Sequence, residues 1–192
     1  MNLIERAKNI LISPKTEWPV IEREKESHVK VLTTYVLLLA LIPAIAAFIC
    51  YGLIGYSVPF VGKITSISIG FRHAITQYIT MVGGIYLSAF VIDLLASTFQ
   101  AKKDFNQAFS LVAFAYTPMF VGGIFRILPS LALLATLCGL YGLYLLYVGL
   151  QPMMQVPEEK KTTYFVVSLV VLIAVSIVLG LILSAVLVTT HL

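Results

Sequence analysis

Charge is what this chain has least of. Asp, Glu, Lys and Arg make up 11% of its 192 residues, under half of the roughly 25% carried by a soluble globular domain. Too little polar side chain is present to cover a globule, so a water-soluble fold is excluded. With two cysteines, there is no framework of disulfides of the kind that staples small secreted domains. Disorder is excluded as well, because a chain this apolar buries itself. No G-x-x-x-x-G-K-[ST] or G-x-G-x-x-G run occurs, so a nucleotide's phosphates find no glycine cradle. His28, His73 and His191 stand apart from one another without a partner at metal-ligand spacing, and none falls inside an apolar stretch. No Ser/Cys–His–acid set can be assembled from them, so the expectation is a non-enzyme with no catalytic residue, no cofactor and no metal. The formal net charge of +4 comes without a basic stripe interleaved with aromatics, and a nucleic-acid partner is not expected.

What is present in abundance is apolar sequence. Hydrophobic residues supply 59% of the chain and the mean hydropathy is +0.97. A hydrocarbon core takes about 20 apolar residues per helix, and five stretches qualify: residues 31–54, 74–97, 108–128, 130–150 and 164–188. The predicted fold is therefore an all-α polytopic membrane protein, a bundle of five transmembrane helices over residues 31–190. A short amphipathic cytoplasmic or interfacial segment, residues 1–30, precedes it. The third and fourth stretches meet at Pro129 almost without a linker, which predicts a tight helical hairpin.

Lys and Arg in short loops set orientation. With the N-terminus inside, inner segments hold Arg6, Lys8, Lys15, Arg23, Lys25, Lys30, Lys102, Lys103, Lys160 and Lys161, and outer ones only Lys63, Arg72 and Arg126. Ten against three places the N-terminus in the cytoplasm and His191-Leu192 outside. Ala44-Ile45-Ala46 has the form of a signal-peptidase site, but the 30 residues before its apolar run are long and Glu-rich for an n-region. The segment is expected to stay.

Ahead of the first span, Leu3, Ile4, Ala7, Ile10 and Leu11 recur at helical spacing, with Asn2, Glu5, Arg6, Lys8 and Asn9 opposite. Ser13-Pro14 ends that helix, and a second short one begins near Thr16 with Trp18 and Ile21 on one side. An indole favours the headgroup level, so Leu3, Ile4, Ala7, Ile10, Leu11 and Trp18 form a candidate membrane-surface anchor. Packing of the same face on the cytoplasmic ends of the spans is an equal and compatible reading.

This opening, MNLIERAKNILISPKTEWPVIERE, resembles bacterial members of the Yip (Ypt/Rab-interacting) family of integral membrane proteins. VIDLLASTF (Val91 to Phe99), AFAYTPMFVGGIF (Ala113 to Phe125), YGLYLLYVGLQPMM (Tyr141 to Met154) and PEEKKTTY (Pro157 to Tyr164) extend the likeness in order along the chain. The resemblance implies a five-helix membrane domain, a bacterial inner (cytoplasmic) membrane location and a non-enzymatic, membrane-organising or partner-recruiting role. Eukaryotic relatives are associated with Rab-type GTPases and ER–Golgi traffic, for which bacteria have no counterpart. An unidentified protein partner is expected at the cytoplasmic N-terminal segment, alongside the bilayer itself.

Within the spans, Asp93 is the outlier, since a mid-membrane Asp costs about 2.5–3.5 kcal/mol and faces protein. It lies near the inner end of its span, where Lys102, Lys103, Asn106 and Gln107 are the expected partners. It reads either as a structural tie or as a carboxylate coupling protons or cations. Pro118, beside Tyr116 and Thr117, removes a donor and frees the carbonyl of Phe114, which a hydroxyl such as that of Thr117 must satisfy. Followed by Gly122-Gly123, the break is either a fixed kink or part of a substrate site. Asp93, Tyr116, Thr117 and Pro118 thus form the candidate intramembrane polar site of the alternative reading, a small transporter or channel for protons, cations or lipids. Small residues mark candidate helix-packing faces: Gly84 and Ser88; Gly142 and Gly149; and Ser176, Gly180 and Ser184, which also suit a homodimer. Cys50 and Cys138 read as packing groups. Lys63, Arg72, His73 and Arg126 are expected at the outer headgroup level, and the apolar loop 57–72 on the membrane surface.

Overall fold

The computed structural model describes residues 2–58 and 62–189, and the side chains among them up to Val178 except those at 56–58, 63, 129 and 132. Two short helices lead: α1 (Leu3–Ile12), capped by the Asn2 side chain accepting from the amides of Ile4 and Glu5, and α2 (Pro14–Glu24). Pro14 ends the one and starts the other, because its ring fixes a helical φ and its missing N–H costs nothing at a first helical position, whereas within α1 it would remove a ladder hydrogen bond and clash with the carbonyl four residues earlier. Lys25, in the left-handed region at φ 45°, closes α2.

Among the described residues five helices are long and apolar enough to cross a membrane. They are α3 (His28–Ile54), α4 (Ile67–Phe99), α5 (Phe105–Ile127), α6 (Ala132–Met154) and α7 (Glu158–Thr189). The architecture is the all-α five-span bundle that hydropathy predicts, with boundaries shifted by a few residues. The segment 57–72, expected as a loop, contains regular structure at its described residues. A two-strand hairpin, β1 (Tyr56–Val58) paired antiparallel with β2 (Gly62–Ile64), leads into α4, which already begins at Ile67. Of that loop's apolar residues, Phe60 lies outside the described residues. His191 and Leu192 do as well.

α5 is the central helix. It is the most buried of the five, with Phe109, Phe114 and Phe120 fully enclosed, and α3, α4, α6 and the N-terminal helices surround it. Its many Ala, Ser and Gly positions let neighbouring backbones come close, which is how helices associate where lipid is as apolar as leucine. Gly142 of α6 lies over α5, where an added Cβ would stand 2.9 Å from the Ala115 carbonyl oxygen. Gly52 and Gly70 join α3 to α4, since a Cβ on Gly70 would come within 2.6 Å of the Gly52 Cα. No sequence spacing marks that pair, because the two glycines lie in different spans and only the fold faces them. α7 sits at the edge on α4 and α6. Its Val166, Val170, Ile173 and Ile177 are exposed, as is Ser176. Packing within the chain therefore does not use Ser176, and the surroundings of Gly180 and Ser184 lie outside the described side chains.

Pro129 joins α5 to α6 through short 3-10 turns, giving the tight hairpin expected there. At 33 residues α4 spans about 50 Å at 1.5 Å per residue. It outruns a hydrocarbon core of about 30 Å.

Candidate functional site

The break in α5 is built as a repair. The helix turns at Tyr116 (φ −77°, ψ −6°) and resumes at Thr117. The Phe114 carbonyl, left without its amide by Pro118, accepts from Thr117 Oγ1 at 2.6 Å, and Tyr35 Oη stands 2.7 Å from the same Thr117 oxygen. With the threonine proton committed to the carbonyl, Tyr35 is the donor of the second bond. Tyr35 and Thr117 are both fully buried, so α3 clamps the break from one side. Gly122 and Gly123 do not make a hinge. An added Cβ would lie 2.5 Å from Cys138 Cβ at the first and 2.6 Å from Pro43 Cβ at the second, so both are contact points fixing α5 against α6 and α3. The kink is fixed.

Asp93 stands apart from this group. Gly84 lies on the stretch of α4 beside Tyr116, whose hydroxyl is 3.8 Å from an added Cβ. Asp93 is nine residues further, about 13 Å along the axis. The four residues of the expected polar site are therefore not one constellation. Nor does Asp93 have the partners expected for it. Its Oδ1 is buried without a hydrogen bond, while Lys102 pairs with Asp104 at 3.6 Å, the Asn106 side chain accepts from the backbone amide of His28 at 2.9 Å, and Gln107 donates to the carbonyl of Glu22 at 3.3 Å. The physical reason is that α4 stays helical past Asp93 to Phe99 and turns the residue toward α7 rather than toward the start of α5. There Tyr164 donates to the carbonyl of Ile92 and stacks on Phe99 at 5.0 Å, and the Oγ of buried Ser168 also lacks a partner.

The N-terminal helices form a hairpin docked along the bundle. Arg6, buried, pairs with Glu17 and Glu24, which ties α1 back onto α2, and its guanidinium lies 5.9 Å over the Phe114 ring. Trp18 is fully enclosed in the notch left by Gly149, where an added Cβ would meet the indole at 2.5 Å and Leu111 at 2.7 Å. Tyr141 donates to the Leu11 carbonyl at 2.7 Å. Tyr141 is 13 residues before Met154, so the hairpin tip reaches about 20 Å along α6 from that helix's end. The anchor assignment is corrected accordingly: Ala7, Ile10 and Trp18 face protein, Leu3 and Leu11 are half-buried against the core, and of the six only Ile4 is fully open, at 76%. Ile12, at 69%, and Val20 are the exposed apolar groups that helical spacing did not single out. Spacing finds an apolar face; it does not say whether lipid or protein covers it.

Two openings result. Beside the hairpin, a groove of about 600 Å³ is walled by Lys15, Pro19, Tyr144, Tyr147, Gln151 and Lys161, with Lys161 Nζ 4.4 Å above the Tyr147 ring. At the opposite end, a cleft of about 420 Å³ is walled by Cys50, Tyr51, His73, Gln77, Arg126 and Thr136. A second space of about 290 Å³ shares Gln77, Arg126 and Ala135 with it and reaches Tyr116. Of the outer basic groups, Arg126 and His73 meet here; Arg72 is exposed and does not line the cleft, and the surroundings of Lys63 are not among those described. One signal for this cleft was present in the sequence. His73, Gln77, Thr80 and Gly84 recur four, three and four residues apart, a stripe of polar and small residues down one face of α4.

A family model described as the Yip1 domain matches residues 8–181. The inner membrane protein YohC of Escherichia coli (strain K12) is 29% identical over 156 residues, which cover 79% of this chain and 80% of that protein. The protein of the same name in E. coli O6:H1 (strain CFT073) matches with the same figures. No solved structure matches.

Proposed function

The chain belongs to the Yip1-domain family of membrane proteins, and on that premise we propose that it is a non-enzymatic scaffold that recruits a protein partner at the surface built by its N-terminal hairpin. The observation that carries the reading is the hairpin itself. A segment of this polarity that spent its apolar face on lipid would leave no rigid protein surface. Docked through Trp18 and Arg6, it holds one side of a groove of about 600 Å³ whose other side is α6 and the start of α7. Two lysines, two tyrosines and two prolines around that groove suit an acidic segment with apolar side chains. An inner-membrane location is supported by the relative's name, and a cytoplasmic hairpin by the ten-to-three distribution of basic residues.

The test is in-cell crosslinking from a photoreactive side chain at Gln151. A discrete protein adduct, lost on combined Lys15→Glu and Lys161→Glu and absent from a probe at Ile173, is the expected result. Adducts only to lipid, or adducts indifferent to the charge reversal, overturn the reading.

A transport role has one observation in its favour, the space of about 290 Å³ that adjoins the far-end cleft at Gln77, Arg126 and Ala135 and reaches Tyr116 beside the α5 break. Flux of protons, cations or labelled lipid through purified protein in liposomes, abolished by Tyr116→Phe or Asp93→Asn, would establish it in place of the scaffold.

A further inference from the structure

We propose that the cleft at the end of the bundle away from the N-terminal hairpin binds a phosphate-ester oxyanion, with Arg126 as its charge partner. The inference goes beyond the scaffold reading and does not depend on it. It begins from a count by position. All nine acidic side chains, at 5, 17, 22, 24, 26, 93, 104, 158 and 159, lie at or near the hairpin end, and none occurs in residues 27–92 or 105–157. Arg126 therefore stands at the far end of a membrane bundle with no acidic side chain to neutralise it. Charged groups in such surroundings are met by pairing or by reaching headgroups.

Among the described residues its hydrogen bond, from Nη1 to Gln77 Oε1 at 3.2 Å, is to a neutral acceptor. That contact orients the guanidinium without cancelling its charge, and leaves the rest of the donor fork for a planar or tetrahedral oxyanion. His73, stacked on Tyr51 at 3.9 Å and 14°, adds an imidazole to the lining of the same cleft. At about 420 Å³ the cleft lies within the range of roughly 300–1,000 Å³ usual for small-ligand sites.

The carrier of the phosphate is favoured by what lies alongside. On the same two helices, one residue on from His73 and Gln77, Ala74 and Tyr78 join Leu41, Ile45, Phe48 and Phe71 around an apolar groove of about 360 Å³. A phospholipid finds both a place for its headgroup charge and an apolar furrow at one depth, whereas free phosphate uses only the first.

The full-length protein in detergent is tested with two probes, dioleoylphosphatidylglycerol by native mass spectrometry and inorganic phosphate by thermal unfolding. A dioleoyl glucolipid without phosphate serves as the reference. Arg126→Gln should weaken phosphatidylglycerol binding about tenfold, and Arg72→Gln, outside the cleft, less than twofold. Gln77→Glu supplies an internal counter-ion. It should fold at least as stably as the parent and lose the same binding, which keeps the test open if Arg126→Gln fails to fold. Phosphatidylglycerol binding alone identifies a lipid headgroup. Stabilisation by inorganic phosphate that vanishes in Gln77→Glu identifies a free anion at the same site. Binding of both probes unchanged in Gln77→Glu, or glucolipid binding as tightly as phosphatidylglycerol, overturns the proposal.

Discussion

Trp18 is the chain's single tryptophan, so its fluorescence reports directly on the docking of the N-terminal hairpin. The indole has no exposed surface and sits against Gly149 and Leu111. In liposomes containing lipids brominated along the acyl chain, its emission should be little quenched, and aqueous acrylamide should do no better. The perturbation is Gly149→Ala. The new methyl would stand 2.5 Å from the ring and 2.7 Å from the Leu111 methyl. Because both are enclosed, neither can give way without moving a helix. Overpacking of this kind costs about 1–3 kcal/mol, and at about 1.4 kcal/mol per decade the undocked fraction should rise roughly 5- to 150-fold. Quenching by either agent should increase, and so should hydrogen exchange across residues 14–24. Trp18→Ala, which removes the knob and the fluorophore together and is therefore read by hydrogen exchange alone, should free the hairpin more fully, since emptying a large aromatic site costs about 3–5 kcal/mol. Strong quenching of the wild type by brominated chains would refute the reasoning. It would mean that the bilayer, and not the bundle, covers the indole.

Thr117→Val should lower thermal stability by about 1–3 kcal/mol by orphaning the Phe114 carbonyl, while Tyr35→Phe, which leaves that bond intact, should cost about 0.5–1.5 kcal/mol; equal effects in detergent thermal melts would show that Thr117 does not mend the break. Asp93 has a buried oxygen without a partner, so Asp93→Leu should leave the melting temperature unchanged or raise it. A clear drop would reveal a bond to Asp93 that this fold does not contain. In a Cys50→Ala/Cys138→Ala background, a cysteine at residue 192 should label from outside and one at residue 8 only after permeabilisation. Labelling of residue 192 from the inside alone would sink the five-span arrangement.

Much of the architecture is dictated by composition and order. A chain with so little charge and five apolar stretches has only helices available to it in lipid, since every backbone donor must be satisfied within its own segment. The short link at Pro129 likewise leaves α5 and α6 no choice but an antiparallel hairpin. Even the repair at Pro118 could be foreseen, because the freed carbonyl and the nearest hydroxyl are three residues apart on one helix.

What could not be foreseen involves residues distant in sequence. That Arg6 reaches Glu17 and Glu24, that Trp18 enters a notch at Gly149, and that Gly52 meets Gly70 depend on how helices are arranged around α5. An apolar helical face looks the same in sequence whether lipid or a neighbouring helix covers it. So only the fold chooses between the two equal readings of the N-terminal apolar face, giving Ala7, Ile10 and Trp18 to protein and leaving Ile4 open, and only the rotation of α4 about its axis decides which neighbours Asp93 meets. The far-end cleft needed both kinds of information. The sequence sets out Arg126 and the stripe of His73, Gln77 and Thr80 and withholds every carboxylate from that half of the chain; only the packing of α3, α4, α5 and α6 brings the cation and the space into one place.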